Sequence, residues 1–445
     1  MASTIRSETL AMMGYLDASP SPYHAVSEAG ARLVAGGFRA VELEEPWPAG
    51  PGGHLVERDG SLVAWWAPDG SPADAPFRVI GAHTDSPNLR LKPRPDTGRA
   101  GWRQLAVEVY GGALLNSWLD RDLGLSGRVT VRTERGGVAH HLVLVDKALC
   151  RVPQLAIHLD REISSKGLQL NPQQHLAPVW GVGDVHEGDL VRFVAEELGN
   201  AAGDVLGWDL MLHDLTRAAF LGANGELLAS ARLDNLCSCF AAVRALLDVA
   251  QAVESPAPAP RWMAGVGPVA ICLYDHEEVG SESATGAGSV LLASVLERAV
   301  AARGGNRDAF LRSMAGSVCA SADMAHATHP NYSERHEPGH WIEVNGGPVI
   351  KVNANQRYAT DGRTAGEFAL ACERAEVPVQ QFVTRTDLPC GSTIGPITSA
   401  RLGMRTVDVG VPQLSMHSAR ELCGADDPAR FVHALRAFLT PPAAS

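Results

Sequence analysis

The chain has 445 residues, of which 45% are hydrophobic and 20% charged, so it resembles a globular protein with more than one core. Its 50 acidic and 38 basic residues give a formal charge of −12, which argues against nucleic acid and anionic membranes as main partners. No stretch approaches ~18 uninterrupted apolar residues, and the N-terminus lacks the apolar core of a signal peptide. The eight cysteines include no CxxC pair, which indicates free thiols and a cytoplasmic location.

The first 87 residues have an α/β pattern. Segments with helical apolar spacing are followed by two short apolar strands, predicted at residues 61–66 and 77–81. The second strand leads directly into His83 and, two residues later, Asp85. A histidine at the end of a buried strand with an aspartate close behind it suits metal binding, although a lone histidine at such a position is more often structural.

The pattern changes between residues 88 and 222. Residues 105–110 alternate as a strand does, and two strand-like runs at 127–133 and 140–145 flank a Glu-Arg-Gly-Gly turn that is typical of a hairpin. Because this β-rich block interrupts an α/β pattern, we interpret residues 88–222 as an inserted second domain. The remaining domain is then discontinuous and comprises residues 1–87 and 223–445.

The most informative stretch follows a short apolar run at 269–273, which predicts a buried strand that ends in Asp275, His276, Glu277 and Glu278. Active sites of α/β folds lie at the carboxyl ends of such strands. Two adjacent glutamates repel each other unless a cation or a shared proton separates them. One arrangement has one glutamate binding a metal and its neighbour acting as general base; in isolation the pair would more often be a solvated turn.

Further segments end in residues of the same types. Asp234 precedes a predicted helix, where it could serve as a cap or bridge two metal ions. Asp323 ends a run of small and apolar residues, and His417 follows the last predicted strand. Together with His83 and the glutamate pair, they form about the inventory that two divalent ions with one bridging carboxylate require. Imidazole and carboxylate ligands favour Zn²⁺, Co²⁺ or Mn²⁺.

With these motifs in view, the sequence closely resembles the aspartyl aminopeptidase family of co-catalytic metallopeptidases. The resemblance rests on Gly-Ala-His-Thr-Asp-Ser-Pro at 81–87, Leu-Asp-Asn at 233–235, and Asp-His-Glu-Glu-Val-Gly-Ser at 275–281. Further matching motifs lie at 321–327, 329–332, 351–353, 356–358, 390–396 and 416–418. They occur in the family's order over nearly the whole chain, and together they are far more specific than any one of them.

The resemblance implies a metal centre with two Zn²⁺ ions per subunit, for which Co²⁺ or Mn²⁺ are alternatives. Asp234 is expected to bridge the two ions. His83 and Asp323 are expected to complete one site, and Glu278 and His417 the other. No metal position departs from the family's pattern.

The resemblance also implies catalytic and substrate-binding roles. Glu277 is expected to be the general base, and Asp85 to support His83 or its metal. Lys351 matches the position that meets an acidic substrate side chain, and Tyr358 matches one near the scissile carbonyl. His158 lies in a motif whose histidine reaches the neighbouring subunit's active site, although its apolar segment could also simply bury it.

For the fold, the family implies a phosphorylase/hydrolase-like, three-layer α/β sandwich with an inserted β-rich dimerisation domain. Its members form dimers and, from them, tetrahedral dodecamers. The expected substrates are peptides with N-terminal Asp or Glu. Alternatives are an aminopeptidase of broader specificity, an N-acyl amino acid deacylase, and a non-catalytic peptide-binding assembly protein. The presence of Glu277 and Asp85 beside a full ligand set argues against the last of these.

Overall fold

A computed structural model describes residues 2–254 and 266–442, and the chain divides into two compact units. The first unit comprises Met1–Asp85, Ala218–Met416 and Glu421–Ser445, and the second comprises Ser86–Arg217 and His417–Arg420. Among the described residues, none of the helices combines the length and hydropathy that crossing a bilayer requires. A dimerisation role for residues 88–222 stays a prediction.

The first unit is built on a mixed nine-stranded sheet. Three central strands, Val269–Tyr274, Arg78–His83 and Val318–Ala322, are parallel neighbours, and the next strand, Arg405–Gly410, continues the same direction. Their carboxyl ends therefore share one edge of the sheet. The spatial order of the strands is Arg39–Ala40, Gly52–Arg58, Ser61–Ala67, Val269–Tyr274, Arg78–His83, Val318–Ala322, Arg405–Gly410, Val349–Val352 and Gln380–Val383.

Both faces of this sheet are covered by helices. Ile271 points into one apolar core and Cys272 into another, because successive strand residues face opposite sides. The first core includes residues of helices Ala2–Ala18, Pro22–Ala35, Leu233–Glu254, Gly362–Arg374 and Asp427–Leu439. The second includes residues of helices Leu291–Ala302, Arg307–Gly316 and Ile394–Leu402. The predicted three-layer α/β sandwich is confirmed.

A small five-stranded sheet also belongs to the first unit. Its strands, in spatial order, are Ala219–Leu221, Leu227–Ser230, Glu421–Gly424, Pro412–Leu414 and Ala325–His326. In this sheet Ser230, three residues before the helical segment Leu233–Glu254, pairs with Glu421. This pairing places Glu421 near the start of that segment. The described residues of this unit also form two short 3₁₀ helices, Glu277–Val279 and Ser333–Arg335.

The second unit contains an antiparallel six-stranded sheet. Its strands, in spatial order, are Val138–Cys150, Leu123–Arg132, Val205–Asp214, Asn88–Arg99, Trp102–Tyr110 and Val179–Val182. The predicted hairpin is present, with the first two of these strands paired over most of their length. One face packs on an apolar core that includes part of helix Asp189–Leu198, and shorter helices lie at Leu115–Trp118, Ile163–Lys166, Pro172–His175 and Ala202–Asp204.

Candidate metal centre

Two of the predicted ligands lie at the carboxyl edge of the main sheet. His83 is the last residue of its strand, and Asp323 directly follows Val318–Ala322. The parallel pairing of these strands fixes the two side chains near each other, and His83 and Asp323 are 1% and 8% exposed. A third predicted ligand, Asp234, lies near the start of the segment Leu233–Glu254, where its backbone (φ −83°, ψ 104°) is not yet helical, and it is also buried.

These three side chains converge on one point. His83 Nε2 lies 3.3 Å from Asp234 Oδ1 and 3.5 Å from Asp323 Oδ1. Ligand atoms at ~2.1 Å from a tetrahedral zinc ion are separated from one another by about 3.4 Å, so these spacings match those of a zinc shell. The three residues form one of the groups of ligand atoms that could hold a metal ion.

The glutamate pair lies beside this group. The strand Val269–Tyr274 runs into the 3₁₀ turn Glu277–Val279, which His276 begins with a φ of 63°. His83, Glu277 and Glu278 can also bring one ligand atom each within 4.8 Å of one another. Both glutamates are thus close enough to act on a cation held at His83.

Asp85 holds the glutamate turn in place. Its carboxylate accepts hydrogen bonds from the backbone N–H groups of Glu277 and Glu278, both at 3.1 Å. Asp85 Oδ1 also lies 3.4 Å from His83 Nδ1, on the opposite side of the imidazole from Asp234. The backbone carbonyl oxygen of Asp85 is closer still, at 3.0 Å from His83 Nδ1. This fully buried residue therefore orients the histidine through its main chain and carboxylate, and the two glutamates through its carboxylate.

The crowding of carboxyl groups in this cluster shifts the pKa values of both glutamates. Burial raises the pKa of Glu277 to about 8; His83 opposes the rise, while Asp323, Asp85 and Asp234 add to it. Burial, followed by the charge of Asp234, likewise raises the pKa of Glu278 well above its usual range. These shifts favour protonated glutamates as long as no other cation compensates the negative charge.

His83 and Asp323 shift in the opposite sense. Burial lowers the pKa of His83, but its contacts with Asp234, Asp323 and Asp85 raise it well above the usual value. Burial opposes ionisation of Asp323, yet Lys351 and His83 hold its pKa well below the usual range. Five carboxylates therefore surround one imidazole and one lysine, and this donor set fits divalent cations.

Lys351 and Tyr358 are next to this cluster. Lys351 is only 2% exposed, and its Nζ lies 3.3 Å from Asp323 Oδ2 and donates to Met324 O at 3.2 Å. The same Nζ lies 5.2 Å from the centre of the Tyr358 ring, in cation–π range. Tyr358 is 5% exposed, and burial raises the pKa of its hydroxyl, so the phenol is a hydrogen-bond donor at neutral pH.

The two remaining predicted residues, His417 and His158, belong to the second unit. His417 Nδ1 is 3.1 Å from Gly112 O, and its carbonyl accepts from the Leu114 N–H. His158 is exposed in a turn, so its own apolar segment does not bury it. The predicted roles of both histidines stay predictions.

Two contacts escaped the sequence analysis. Glu421, which is 2% exposed, accepts a hydrogen bond from the Asp234 N–H at 2.9 Å. Asn235 donates through Nδ2 to Ala322 O at 2.8 Å, which ties the helix start to the strand before Asp323. Glu421 is part of a strand with no distinctive spacing, so nothing in the sequence pairs it with a residue 187 positions away.

An α/β sandwich with buried imidazole and carboxylate ligands at the carboxyl ends of its parallel strands is the architecture of a metal-dependent hydrolase. Comparison with known proteins defines the group further. The chain belongs to the aminopeptidase I zinc metalloprotease (M18) family, whose profile it matches over residues 15–439. It is an aminopeptidase of the zinc-dependent type.

Individual relatives agree with this assignment. The chain is 56% identical over 437 residues to a probable M18 family aminopeptidase 2 of Streptomyces coelicolor, covering 98% of each chain. It is similar to a chain in the cryo-EM structure of the Ape4 and Nbr1 complex, with 37% identity and a TM-score of 0.93 over 99% of this chain and 86% of that one. It also matches the mApe1 dodecamer of S. cerevisiae, with 28% identity and a TM-score of 0.84 over 97% of this chain and 96% of that one.

Proposed function

We propose that this aminopeptidase removes N-terminal Asp and Glu residues from peptides and uses two zinc ions per subunit. The observation that carries the proposal is the buried group of His83, Asp234 and Asp323, with Glu277 and Glu278 beside it. Asp234 would be shared by the two ions, His83 and Asp323 would complete the shell of one, and Glu278 and His417 would complete the shell of the other.

The catalytic role proposed for each side chain follows from its position. When bound, zinc polarises the scissile carbonyl and provides a nucleophile from water near neutral pH. Glu277, whose pKa burial raises to about 8 in the absence of a cation, takes a proton from the water and delivers it to the leaving amine. Asp85 keeps Glu277 in position through its backbone N–H, and the phenol of Tyr358 donates to the carbonyl oxygen as negative charge develops there.

Selectivity for an acidic N-terminal residue requires a cation that can hold a second carboxylate. Lys351 supplies the ammonium group, since its Nζ is fixed between Asp323, Met324 O and the Tyr358 ring. A neutral substrate side chain would not supply this second carboxylate and would instead be placed against the ammonium group of Lys351. This mechanism would disfavour N-terminal Leu or Ala.

Self-association is also part of the proposal. The apolar neighbours of His158 are exposed: Leu155, Ile157 and Leu159 are 58%, 54% and 76% accessible. An apolar exposed segment with a histidine inside it is typical of an interface rather than of a free surface. We infer that this segment carries His158 to the active site of a second subunit, in dimers and in a dodecamer such as the one in which the related mApe1 was solved.

The test of this function uses chelator-stripped protein reconstituted with Zn²⁺, Co²⁺ or Mn²⁺ and aminoacyl chromogenic substrates of Asp, Glu, Leu and Ala. Metal-restored hydrolysis confined to Asp and Glu is the expected result. Preference for Leu or Ala would overturn the specificity but keep the metal chemistry. Cleavage of N-acyl amino acids alone would instead support a deacylase.

A further inference from the structure

Asp408 is a fully buried carboxylate that the proposed reaction does not use directly. It lies on the central strand Arg405–Gly410 and accepts hydrogen bonds from two loops. The Thr393 hydroxyl donates to Asp408 Oδ1 at 2.5 Å, and the Ala359 N–H donates to Asp408 Oδ2 at 2.6 Å. The Asp408 N–H in turn donates to Thr360 Oγ1 at 2.9 Å. One strand residue therefore holds the segment around residue 359 on both sides of its backbone.

Both loops contribute to the surroundings of Tyr358. Ala359 is the next residue along the chain, so the Asp408 contact fixes the backbone from which the phenol projects. Thr393 ends the loop at 390–393, whose first residue, Cys390, packs against the apolar cluster that contains Tyr358. Ser392 Oγ adds a direct link between the loops by donating to Arg357 O at 3.4 Å. The Tyr358 backbone and the loop that packs beside its side chain are thus both bound to the same carboxylate.

The Asp408 carboxylate occupies the space that a side chain at position 395 would need. A Cβ atom at Gly395 would lie 2.3 Å from Asp408 Oδ2 and 2.5 Å from Oδ1, far below any tolerated contact. Gly395 is in the first turn of helix Ile394–Leu402, and its N–H donates to Thr393 Oγ1 at 3.3 Å. Only glycine at position 395 lets the carboxylate reach the Thr393 hydroxyl without displacing the helix start.

We propose that Asp408 is a positioning residue for Tyr358, which it aligns with the scissile carbonyl by fastening the two loops to the central sheet. This inference rests on the proposed role of Tyr358 as a donor to the carbonyl oxygen. The carboxylate is suited to the task because both of its oxygens are engaged at short distances, so its geometry leaves little freedom. A small shift of Tyr358 lowers kcat without changing substrate binding, because the donor acts mainly in the transition state.

The first test is a mutant cycle with Asp408→Asn, Tyr358→Phe and the double variant. We expect Asp408→Asn to lower kcat about 10- to 100-fold, with KM and zinc content unchanged. In the Tyr358→Phe background, Asp408→Asn should then have no further effect on kcat. Losses that multiply in the double variant, or a kcat of the Asn variant equal to that of the parent, would overturn the proposal.

A second test measures position rather than activity. The chain has six tyrosines, and ¹⁹F NMR of protein labelled with 3-fluorotyrosine identifies the Tyr358 signal by its loss in Tyr358→Phe. Asp408→Asn should shift that signal and leave the other five in place. If Tyr358→Phe leaves kcat unchanged, the proposed role of Tyr358 is wrong, and the NMR shift alone still decides whether Asp408 positions it.

The chain offers matched controls for both tests. Asp427 is also fully buried and accepts two backbone hydrogen bonds, from Asn345 and Gly347, but has no link to either loop. Asp427→Asn should therefore leave the Tyr358 signal unshifted; an equal shift would mean that any buried aspartate has this effect and would overturn the proposal. If Asp408→Asn fails to fold, Thr393→Val replaces it and should shift the signal, whereas Thr393→Ser, which keeps the hydroxyl, should not.

Discussion

The two units differ in which side chains lie in an unfavourable environment. The first unit buries ionisable side chains at the edge of its sheet: His83 and Asp85 are 1% and 0% exposed there. The second unit leaves apolar side chains in contact with solvent, with Leu159 and Val182 at 76% and 71% exposure. Both arrangements cost free energy in an isolated chain, and under the proposed function a metal ion would relieve the first and another protein surface would relieve the second.

The contrast is also visible within single strands. In Val138–Cys150, Val143 and Val145 are 2% exposed, whereas Leu142 and Leu144 on the opposite face are 41% and 49% exposed. Two central strands of the first unit's main sheet, Val269–Tyr274 and Val318–Ala322, are buried on both faces. The first unit therefore has crowded buried charge at the ends of its central strands, and the second unit has an exposed apolar face on this strand.

The largest effect is expected from Glu277→Gln, which removes the proton acceptor and keeps the shape of the side chain. Hydrolysis should fall by at least about 1000-fold while the zinc content stays the same. Glu282→Gln, at an exposed position of the same segment, is the control and should retain full activity. Loss of zinc from the Glu277 variant would identify Glu277 as a ligand instead of a base.

Asp85→Asn should weaken zinc binding in the first unit without abolishing it. Because Asp85 accepts from the N–H groups of Glu277 and Glu278 and lies beside His83, we expect zinc affinity to fall about 10- to 100-fold. Competition with a chelator measures this change. The control is Asp214→Asn in the second unit, where a buried carboxylate already has Arg121 as its partner at 2.8 Å; equal zinc loss there would refute the distinction.

Lys351→Met tests the selectivity within the first unit. The substitution removes the ammonium group but retains most of the apolar stem, so kcat/KM for Asp and Glu substrates should fall about 10- to 100-fold relative to Leu substrates. The ratio of the rates, measured on the same preparation, cancels any loss of active protein. An unchanged ratio would show that Lys351 serves Asp323 alone.

The smallest effect is expected on assembly. Leu144→Lys places a charge on the exposed face of the second unit's sheet, which should raise the subunit concentration at half-association about 10-fold, as measured by analytical ultracentrifugation. Leu370→Lys in the first unit is the matched control for Leu144→Lys, because the two leucines are 48% and 49% exposed. An equal response of both variants would contradict a specific interface on the second unit.

Local features of the sequence were sufficient for much of the fold. The apolar runs predicted strands at 61–66 and 269–273, and the structure has them at Ser61–Ala67 and Val269–Tyr274. The strand predicted at 77–81 is Arg78–His83, which includes the histidine itself. Residues 171–185 are rich in Gln, Pro and Gly, a composition typical of loops, yet they include Pro172–His175 and Val179–Val182 as short regular elements.

Some residues of the candidate site could also be predicted from local sequence patterns, and others could not. His83 and Asp323 could be anticipated because each follows an apolar strand, and strand ends meet in a parallel sheet. The contacts of Asp85 with the Glu277 and Glu278 backbone span almost 200 positions, and those of Glu421 with Asp234 are as distant in sequence. Such contacts depend on the register of separate strands and carry no periodicity, so local patterns could not predict them.

The most direct test of the account is a crystal structure of the purified enzyme with anomalous diffraction measured at the zinc absorption edge. We predict two zinc peaks per subunit that share Asp234, one of them in contact with His83 and Asp323. A single peak, or peaks away from these residues in a preparation of full activity, would contradict the two-zinc centre.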